Sequence, residues 1–180
     1  DGNIFAYPLV ATGWRTRISI PRPEWLKATA LLTGWDQSGD GIPDVVSRDT
    51  AGNLWRHDGD GKFGFAPGVL IGKGWAGFDL LTQVPNYIDG KPVVIGRAAT
   101  TGESSAYYLT PTGSSRWALG TVLKGYKSAY GVADMSADGR GDLMAVSSRN
   151  GLHLMAANGT GGLVAAVGST FLPDHVQLMP

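Results

Sequence analysis

The chain has 180 residues, 43% of them hydrophobic, which is enough to bury a core in one compact unit. Fifteen basic and fifteen acidic residues cancel, and no dense stripe of Lys and Arg occurs, which argues against nucleic acid as a partner. Cysteine is absent, which excludes disulfides, thiolate zinc sites and cysteine nucleophiles. No apolar run approaches the roughly 20 residues that span a bilayer. Neither a signal peptide nor an initiator methionine begins the chain, so we expect a domain excised from a longer protein.

Short segments of β-branched and aromatic residues alternate with turn residues along the whole chain. The letters GNIFAY at residues 2–7 return as GNLWRH at residues 52–57, and Trp25 lies 50 positions before Trp75. Two further copies are represented by residues 104–113 with 123–131 and by residues 150–159 with 167–171. These copies predict a repeat of about 50 residues, a length typical of blade-type repeats.

The second copy divides most clearly into strands. It contains KATALLTGW, an acidic loop, DVVSR, the turn DTAG, NLWRH and PGVLIGKG, which makes four strand candidates separated by turns. Glycine or proline interrupts every segment before helical spacing can be sustained. We therefore predict an all-β, β-propeller-like repeat of four-stranded blades, with one domain over residues 1–180. About fifteen strands are expected, with the chain starting in mid-blade near Ile4 and Ile18 and ending in mid-blade near Val176.

Two acidic loops share one pattern, DQSGDGIPD at residues 36–44 and DMSADGRGD at residues 134–142. Oxygens at positions one, three and five of an extended loop can converge on a hard cation, and glycine at position six lets the chain turn back with position nine. Two solvated Asp-Gly turns are the alternative interpretation. The candidate metal ligands are Asp36, Ser38, Asp40, the carbonyl oxygen of Ile42, Asp44, Asp134, Ser136, Asp138, the carbonyl oxygen of Arg140, and Asp142.

The copy between these loops is degenerate. In PNYIDGKPV at residues 85–93 only Asp89 and Gly90 keep the pattern, so this loop is predicted to be a turn without metal. Serine at position three supplies a neutral oxygen in the other two loops, which predicts modest calcium affinity. Such loops are filled where calcium is abundant, so a secreted, extracellular protein is expected.

The stretch DQSGDGIPDVVSRDTAGNLWRHDGDGKFGFAPGVLIGKGW resembles the FG-GAP/VCBS repeat family, the integrin-alpha-like propeller modules attached to many secreted bacterial enzymes and surface proteins. Residues 36–49 and, less closely, residues 134–147 follow the order of this family: acid, hydroxyl, acid-glycine, acid, apolar pair and Arg-Asp. The letters IGKGWAGF at residues 71–78 are also similar to tachylectin-type sugar-binding propellers. The resemblance implies calcium in both acidic loops and a role in binding cell surfaces, cell walls or carbohydrates.

Aromatic residues fall into three groups by their place in the repeat. Residues that share one position of the repeat are predicted to pack between blades: Trp25, Trp75, Tyr126 and Phe171. Residues that share a position within a strand are predicted to lie in the core: Phe5, Trp55 and Tyr108. The remaining tryptophans fit the repeat less regularly, which makes them candidates for an exposed platform that stacks on sugars: Trp14, Trp35 and Trp117.

Catalysis has little support in the sequence. No nucleophile elbow, phosphate loop or zinc-type His pair occurs. Carboxylates held ionised by a cation are unsuited to act as general acids, which disfavours a hydrolase. We predict a non-catalytic, lectin-like calcium-binding module whose partner is a glycan, a cell wall or a surface protein, with self-association if a propeller must be completed. A purely structural spacer or adhesion module is the alternative.

Overall fold

The computed structural model describes residues 3–7, 9–11, 13–14 and 16–171. These residues form sixteen β-strands and two short 3₁₀ helices, which confirms the predicted all-β class. None of the helices in these ranges is both long and apolar enough to cross a membrane. The strand predicted near Val176 lies outside the described residues. The chain divides into two compact units, residues 1–76 and 77–180.

The first unit contains a pair of strands, a small hairpin and one four-stranded sheet. Strands β1 (Asn3–Ala6) and β4 (Ile18–Pro21) pair antiparallel, and β2 (Leu9–Val10) pairs with β3 (Gly13–Trp14) between them in the chain. The 3₁₀ helix Pro23–Lys27 follows. The four-stranded sheet is an antiparallel meander of β5 (Ala30–Trp35), β6 (Asp44–Arg48), β7 (Leu54–His57) and β8 (Val69–Gly72). All four strand candidates of the second copy are confirmed.

The second unit contains two more four-stranded meanders. One is formed by β9 (Phe78–Ile88), β10 (Lys91–Ala98), β11 (Ser104–Thr110) and β12 (Gly113–Gly120). The other is formed by β13 (Tyr126–Val132), β14 (Asp142–Ser147), β15 (Gly151–Ala157) and β16 (Leu163–Phe171). Neighbouring strands are consecutive in the chain in all three sheets, so the predicted four-stranded repeat is confirmed in its strand order.

The second strands of two sheets contain runs of buried residues. Strand β6 buries its first four residues in succession, as expected when both faces of a strand are covered. Strand β10 does the same over residues 93–96. The core of the second unit gathers the buried residues Leu80, Val84, Tyr87, Ile88, Val93, Ile95, Ala106, Leu123, Ala129, Leu143, Ala145, Met155 and Ala157.

An arginine at the end of the second strand ties two of the sheets to a later connecting segment. Arg48 donates from Nη1 to the carbonyl oxygen of Trp75 at 3.0 Å, and Arg97 donates from Nη1 to that of Leu123 at 2.7 Å. Leu123 lies three residues before β13 as Trp75 lies three residues before β9, so Leu123 corresponds to Trp75, whereas the predicted equivalent, Tyr126, begins β13. Trp25 and Trp75 are buried, as their predicted packing role requires.

The aromatic residues predicted for the core behave differently from one another. Phe5 is 41% exposed, so its prediction is wrong, and the guanidinium carbon of Arg17 lies 4.3 Å from its ring centroid. Trp55 and Tyr108 are half-buried. The side chain of Phe171 is outside the described part.

The first strands of the two sheets in the second unit lie side by side. Gly131 on β13 donates its N–H to Oγ1 of Thr82 on β9, at 2.9 Å. A Cβ atom at position 131 would overlap the carbonyl oxygen of Gln83. Glycine is therefore required here by the close approach of the two backbones.

Candidate functional site

Both acidic loops lie where the sequence predicts, between the first and second strands of a four-stranded sheet. The first connects β5 to β6 and the second connects β13 to β14. At position six, Gly41 has φ of 87° and Gly139 has φ of 86°, which is left-handed backbone that favours glycine. Position four is also left-handed, with Gly39 at 89° and Ala137 at 61°. The two loops thus follow the same turns.

The carboxylate at position nine holds the first loop together from within. Asp44 is 1% exposed, and its Oδ2 accepts the backbone N–H of Gln37 at 2.8 Å and that of Ser38 at 2.7 Å. Its Oδ1 accepts the N–H of Gly59 at 3.0 Å, from the loop between β7 and β8. One buried side chain therefore joins the beginning and end of the acidic loop to a neighbouring loop of the same sheet.

The carboxylates at positions one and five fold the middle of the loop. Asp36 accepts the N–H groups of Gly39 at 2.6 Å and Asp40 at 3.2 Å on Oδ1, and that of Gly41 at 2.7 Å on Oδ2. Asp40 accepts the N–H of Ile42 at 2.8 Å. Partial burial raises the pKa of Asp36, but the donors, Gly41 foremost, together lower it by more, so this carboxyl stays ionised below its usual range.

The second loop repeats most of these hydrogen bonds at the same positions. Asp142, fully buried, accepts the N–H groups of positions two and three, Met135 and Ser136, both at 2.8 Å. The bonds from position six to one and from position seven to five are also kept, as Gly139 to Asp134 at 2.8 Å and Arg140 to Asp138 at 2.9 Å. The N–H of Gly139 is the main reason that the pKa of Asp134 lies below its usual value.

The degenerate copy is a tight turn, as predicted. Asp89 and Gly90, with φ of 51° and 76°, form the two-residue connection of β9 to β10, in the left-handed conformation typical of type I′ hairpins. Tyr87, at position three of this copy, is fully buried and donates its hydroxyl to the carbonyl oxygen of Gly161 at 3.2 Å. Burial raises the pKa of this phenol. The side chain at this position thus supports the core instead of a loop.

The donors of the two acidic loops suit a hard cation in their chemistry, because they are carboxylate, hydroxyl and carbonyl oxygens. Within residues 3–7, 9–11, 13–14 and 16–171, no group of three or more His, Cys, Asp or Glu side chains is arranged to hold a metal ion. At position nine, Asp44 and Asp142 direct their oxygens to backbone N–H groups. The donor types fit calcium, and the ninth carboxylate also serves the loop backbone.

The three tryptophans predicted as a sugar platform are not equivalent. Trp14 belongs to β3, but its side chain is outside the described part. Trp35 is half-buried at the end of β5, next to the first acidic loop. Trp117 on β12 packs against the core of the second unit and lies so close to Gly161 that a Cβ atom there would overlap its ring. The contacts of Trp117 favour packing.

The first unit also contains a cavity of about 450 Å³ that sequence reasoning missed. The walls come from the helix Pro23–Lys27, from β6 and β7, and from the loop between these strands. They include the aromatic residues Trp25, Trp55 and His57. No local pattern predicts this site, because its residues are spread over positions 24–68 and its two tryptophans fit the repeat as packing residues.

A buried cluster around His57 borders this cavity. The indole Nε1 of Trp25 donates to Nε2 of His57 at 3.1 Å, and Oγ of Ser47 lies 3.0 Å from the same nitrogen. Because an indole N–H can only donate, Nε2 must carry a lone pair. That lone pair is engaged by Trp25, so the imidazole is poorly placed to take a proton from Ser47 as a catalytic base would. The cluster is a packing element.

Burial lowers the pKa of His57 below its ordinary value, which makes the stability of the protein depend on pH. Above about pH 6.5 the imidazole is neutral in both the folded and unfolded chain. As the pH falls, the unfolded chain takes up a proton that the folded chain resists, so the free energy of unfolding should decrease from pH 7 to pH 5. Urea unfolding at several pH values measures this slope, which His57→Gln should flatten. Equal slopes for wild type and His57→Gln would contradict the argument.

The comparison with known proteins gives no assignment. No protein-family model matches this chain, and no curated protein is significantly similar to it. Its function is therefore argued from the paired loops and the cavity.

Proposed function

We propose that the protein is a non-catalytic calcium-binding repeat module of the FG-GAP/VCBS kind that attaches a secreted protein to a cell surface, a cell wall or a carbohydrate. The matched pair of acidic loops carries this proposal. Both loops occupy the same place in a four-stranded sheet and share left-handed turns and carboxylate-to-amide hydrogen bonds. A solvated turn gives no reason to keep oxygens at positions one, three, five and nine in two copies, when the copy at residues 85–93 keeps only the carboxylate at position five.

Calcium would be held by the side chains and carbonyl oxygens at positions one, three, five, seven and nine of each loop. Its two positive charges would offset most of the charge of three carboxylates that lie within nine residues of one another. Ser38 and Ser136 offer neutral oxygens at position three, which keeps the affinity modest and suits an extracellular setting.

The sheets support a propeller-type architecture in which each four-stranded meander is one blade of a single domain over residues 1–180. All three sheets have the same strand order, and in the second unit the first strands β9 and β13 are neighbours. Adjacent inner strands are what blades around a common axis require. A ring completed by a second copy of the chain remains part of this proposal.

The surface-binding role rests on the resemblance to FG-GAP/VCBS and tachylectin-type repeats, with Trp35 as a half-buried aromatic candidate. A structural spacer that keeps a neighbouring domain away from a surface is the second candidate, and the paired loops suit it equally well. A hydrolase has less support, because the Ser47 and His57 pair lacks an available base nitrogen.

Calcium titration tests the metal assignment directly. Calorimetry should count two sites, and calcium should raise the melting temperature in a chelator-reversible way. A cation that binds only the folded chain stabilises it by about 2.7 kcal/mol per site at a hundredfold excess over Kd. A melt that chelators leave unchanged, together with no measurable calcium uptake, would remove the proposal.

Single substitutions should separate the three loops. Asp40→Asn and Asp138→Asn preserve side-chain size, and each should abolish one site because a charged ligand is lost. Asp89→Asn is the matched control, since Asp89 lies in a two-residue turn that offers one carboxylate. Equal loss of calcium from all three variants would show that general charge, and not the loop pattern, attracts the cation.

A further inference from the structure

The cavity of the first unit is electrically balanced. Its charged lining residues are two of each sign, Glu24, Lys27, Arg48 and Asp49. His57 adds no charge near neutral pH, because burial lowers its pKa. The volume of about 450 Å³ is in the range of small-molecule sites. These properties favour an uncharged ligand with both polar and apolar surface.

Trp55 is held in place by a carboxylate that is itself held in place. Its indole Nε1 donates to Oδ2 of Asp49 at 2.9 Å. Asp49 also accepts the side-chain and backbone N–H groups of Asn53 and the N–H of Ala51, each at 2.9 Å. These donors, Trp55 foremost, lower the pKa of Asp49 to about 2, so the anchor stays ionised. The ring orientation is thus fixed before any ligand arrives.

The two tryptophans of the cavity have different roles. Trp25 is 6% exposed and meets His57 and Phe65 edge to face, with ring centroids 5.1 and 5.6 Å away, so its surface is used in packing. Trp55 is half-buried and borders the cavity. A fixed and accessible indole is a flat apolar surface next to polar groups, which is the environment that the apolar face of a pyranose needs.

We propose that this cavity binds a neutral sugar unit that stacks on Trp55, with the exposed side chains of Glu24, Lys27 and Thr50 available to its hydroxyl groups. The proposal deepens the surface-binding role proposed above and does not depend on calcium. The stacking residue is then Trp55, which fits the repeat regularly, and not one of the tryptophans that fit it irregularly.

The test is calorimetric titration with neutral cello-, xylo-, manno- and N-acetylchito-oligosaccharides, with calcium and again with chelator. Wild type should bind at least one of them in both conditions. Trp55→Ala should weaken that binding about tenfold, as expected for the loss of one stacked ring. Trp55→Phe, which keeps a ring but loses the bond to Asp49, should be intermediate. Trp35→Ala tests the other aromatic candidate of the same unit, and binding in the cavity predicts that this variant binds as wild type does.

The possible results separate the site from the proposed function. Binding that survives Trp55→Ala and Trp55→Phe but is lost in Trp35→Ala would overturn the cavity and leave the module a sugar binder. Binding to whole cell walls with no response to any neutral oligosaccharide, or a preference for charged sugars, would also overturn it. No binding to oligosaccharides or cell walls would remove the surface-binding role as well. If Trp55→Ala does not fold, the comparison rests on Trp55→Phe and Asp49→Asn.

Discussion

Replacing Asp44 with alanine should lower the free energy of unfolding by about 2–5 kcal/mol, because an unsatisfied buried polar group costs roughly 1–3 kcal/mol. Three backbone N–H groups, those of Gln37, Ser38 and Gly59, lose their acceptor at once. Asp44 is 1% exposed, so water cannot easily replace the lost oxygens. Urea unfolding in the presence of chelator measures this loss without any contribution from bound metal.

Asp60→Ala is the matched control for this experiment. Asp60 also accepts two backbone N–H groups, those of Lys62 at 2.7 Å and Gly64 at 2.8 Å, but it lies in an exposed loop of the same sheet. Water can replace its carboxylate, so a much smaller loss of stability is expected. Similar losses for Asp44→Ala and Asp60→Ala would show that burial is not what makes the ninth carboxylate important.

Gly131→Ala should destabilise the second unit by about 3 kcal/mol, at the upper end of the usual cost of overpacking. The new methyl group would overlap the carbonyl oxygen of Gln83 and approach Cα of Val84 at 2.8 Å. Backbone atoms cannot rotate away as a side chain can, so β13 and β9 would have to separate. That separation would also break the bond from Gly131 to Thr82. Thermal and urea unfolding measure the change.

Gly113→Ala controls for the general effect of removing a glycine. Gly113 begins β12 in the same unit, and a Cβ atom there would meet nothing within 4 Å. Its substitution should change stability by no more than about 0.5 kcal/mol. A loss as large as that of Gly131→Ala would mean that flexibility of the chain, and not contact between strands, explains both effects.

The strands could be predicted because their signals are local. The apolar pair Val45 and Val46, between an Asp-Gly turn and Arg48, is enough to indicate a short buried strand. Equivalence between repeats was harder, since residue type suggested Tyr126 as the partner of Trp75. The strand boundaries identify Leu123 instead, because Leu123 lies three residues before β13 as Trp75 lies three residues before β9. This equivalence depends on where the next strand begins, and residue type does not show it.

The position of the acidic loops could be predicted, but the direction of their carboxylate oxygens could not. Spacing alone locates Asp36 and Asp44, but the oxygens of a carboxylate at position nine can either bind a cation or accept the backbone N–H groups of the loop.

No local sequence pattern predicted the cavity. Trp55 has the spacing of a core residue, and only its bond to Asp49 and its half-buried ring distinguish it from Trp25.

The arginine near the end of the second strand in two of the sheets changes what counts as one copy of the repeat. Arg97 belongs to the second sheet, yet its Nη1 donates to the carbonyl oxygens of Leu123 and Tyr126, both at 2.7 Å. A piece of chain that ends at Gly120 keeps all four strands of that sheet and leaves this nitrogen without either acceptor. A copy that is duplicated or moved to another protein therefore has to include the first residues of the copy that follows it.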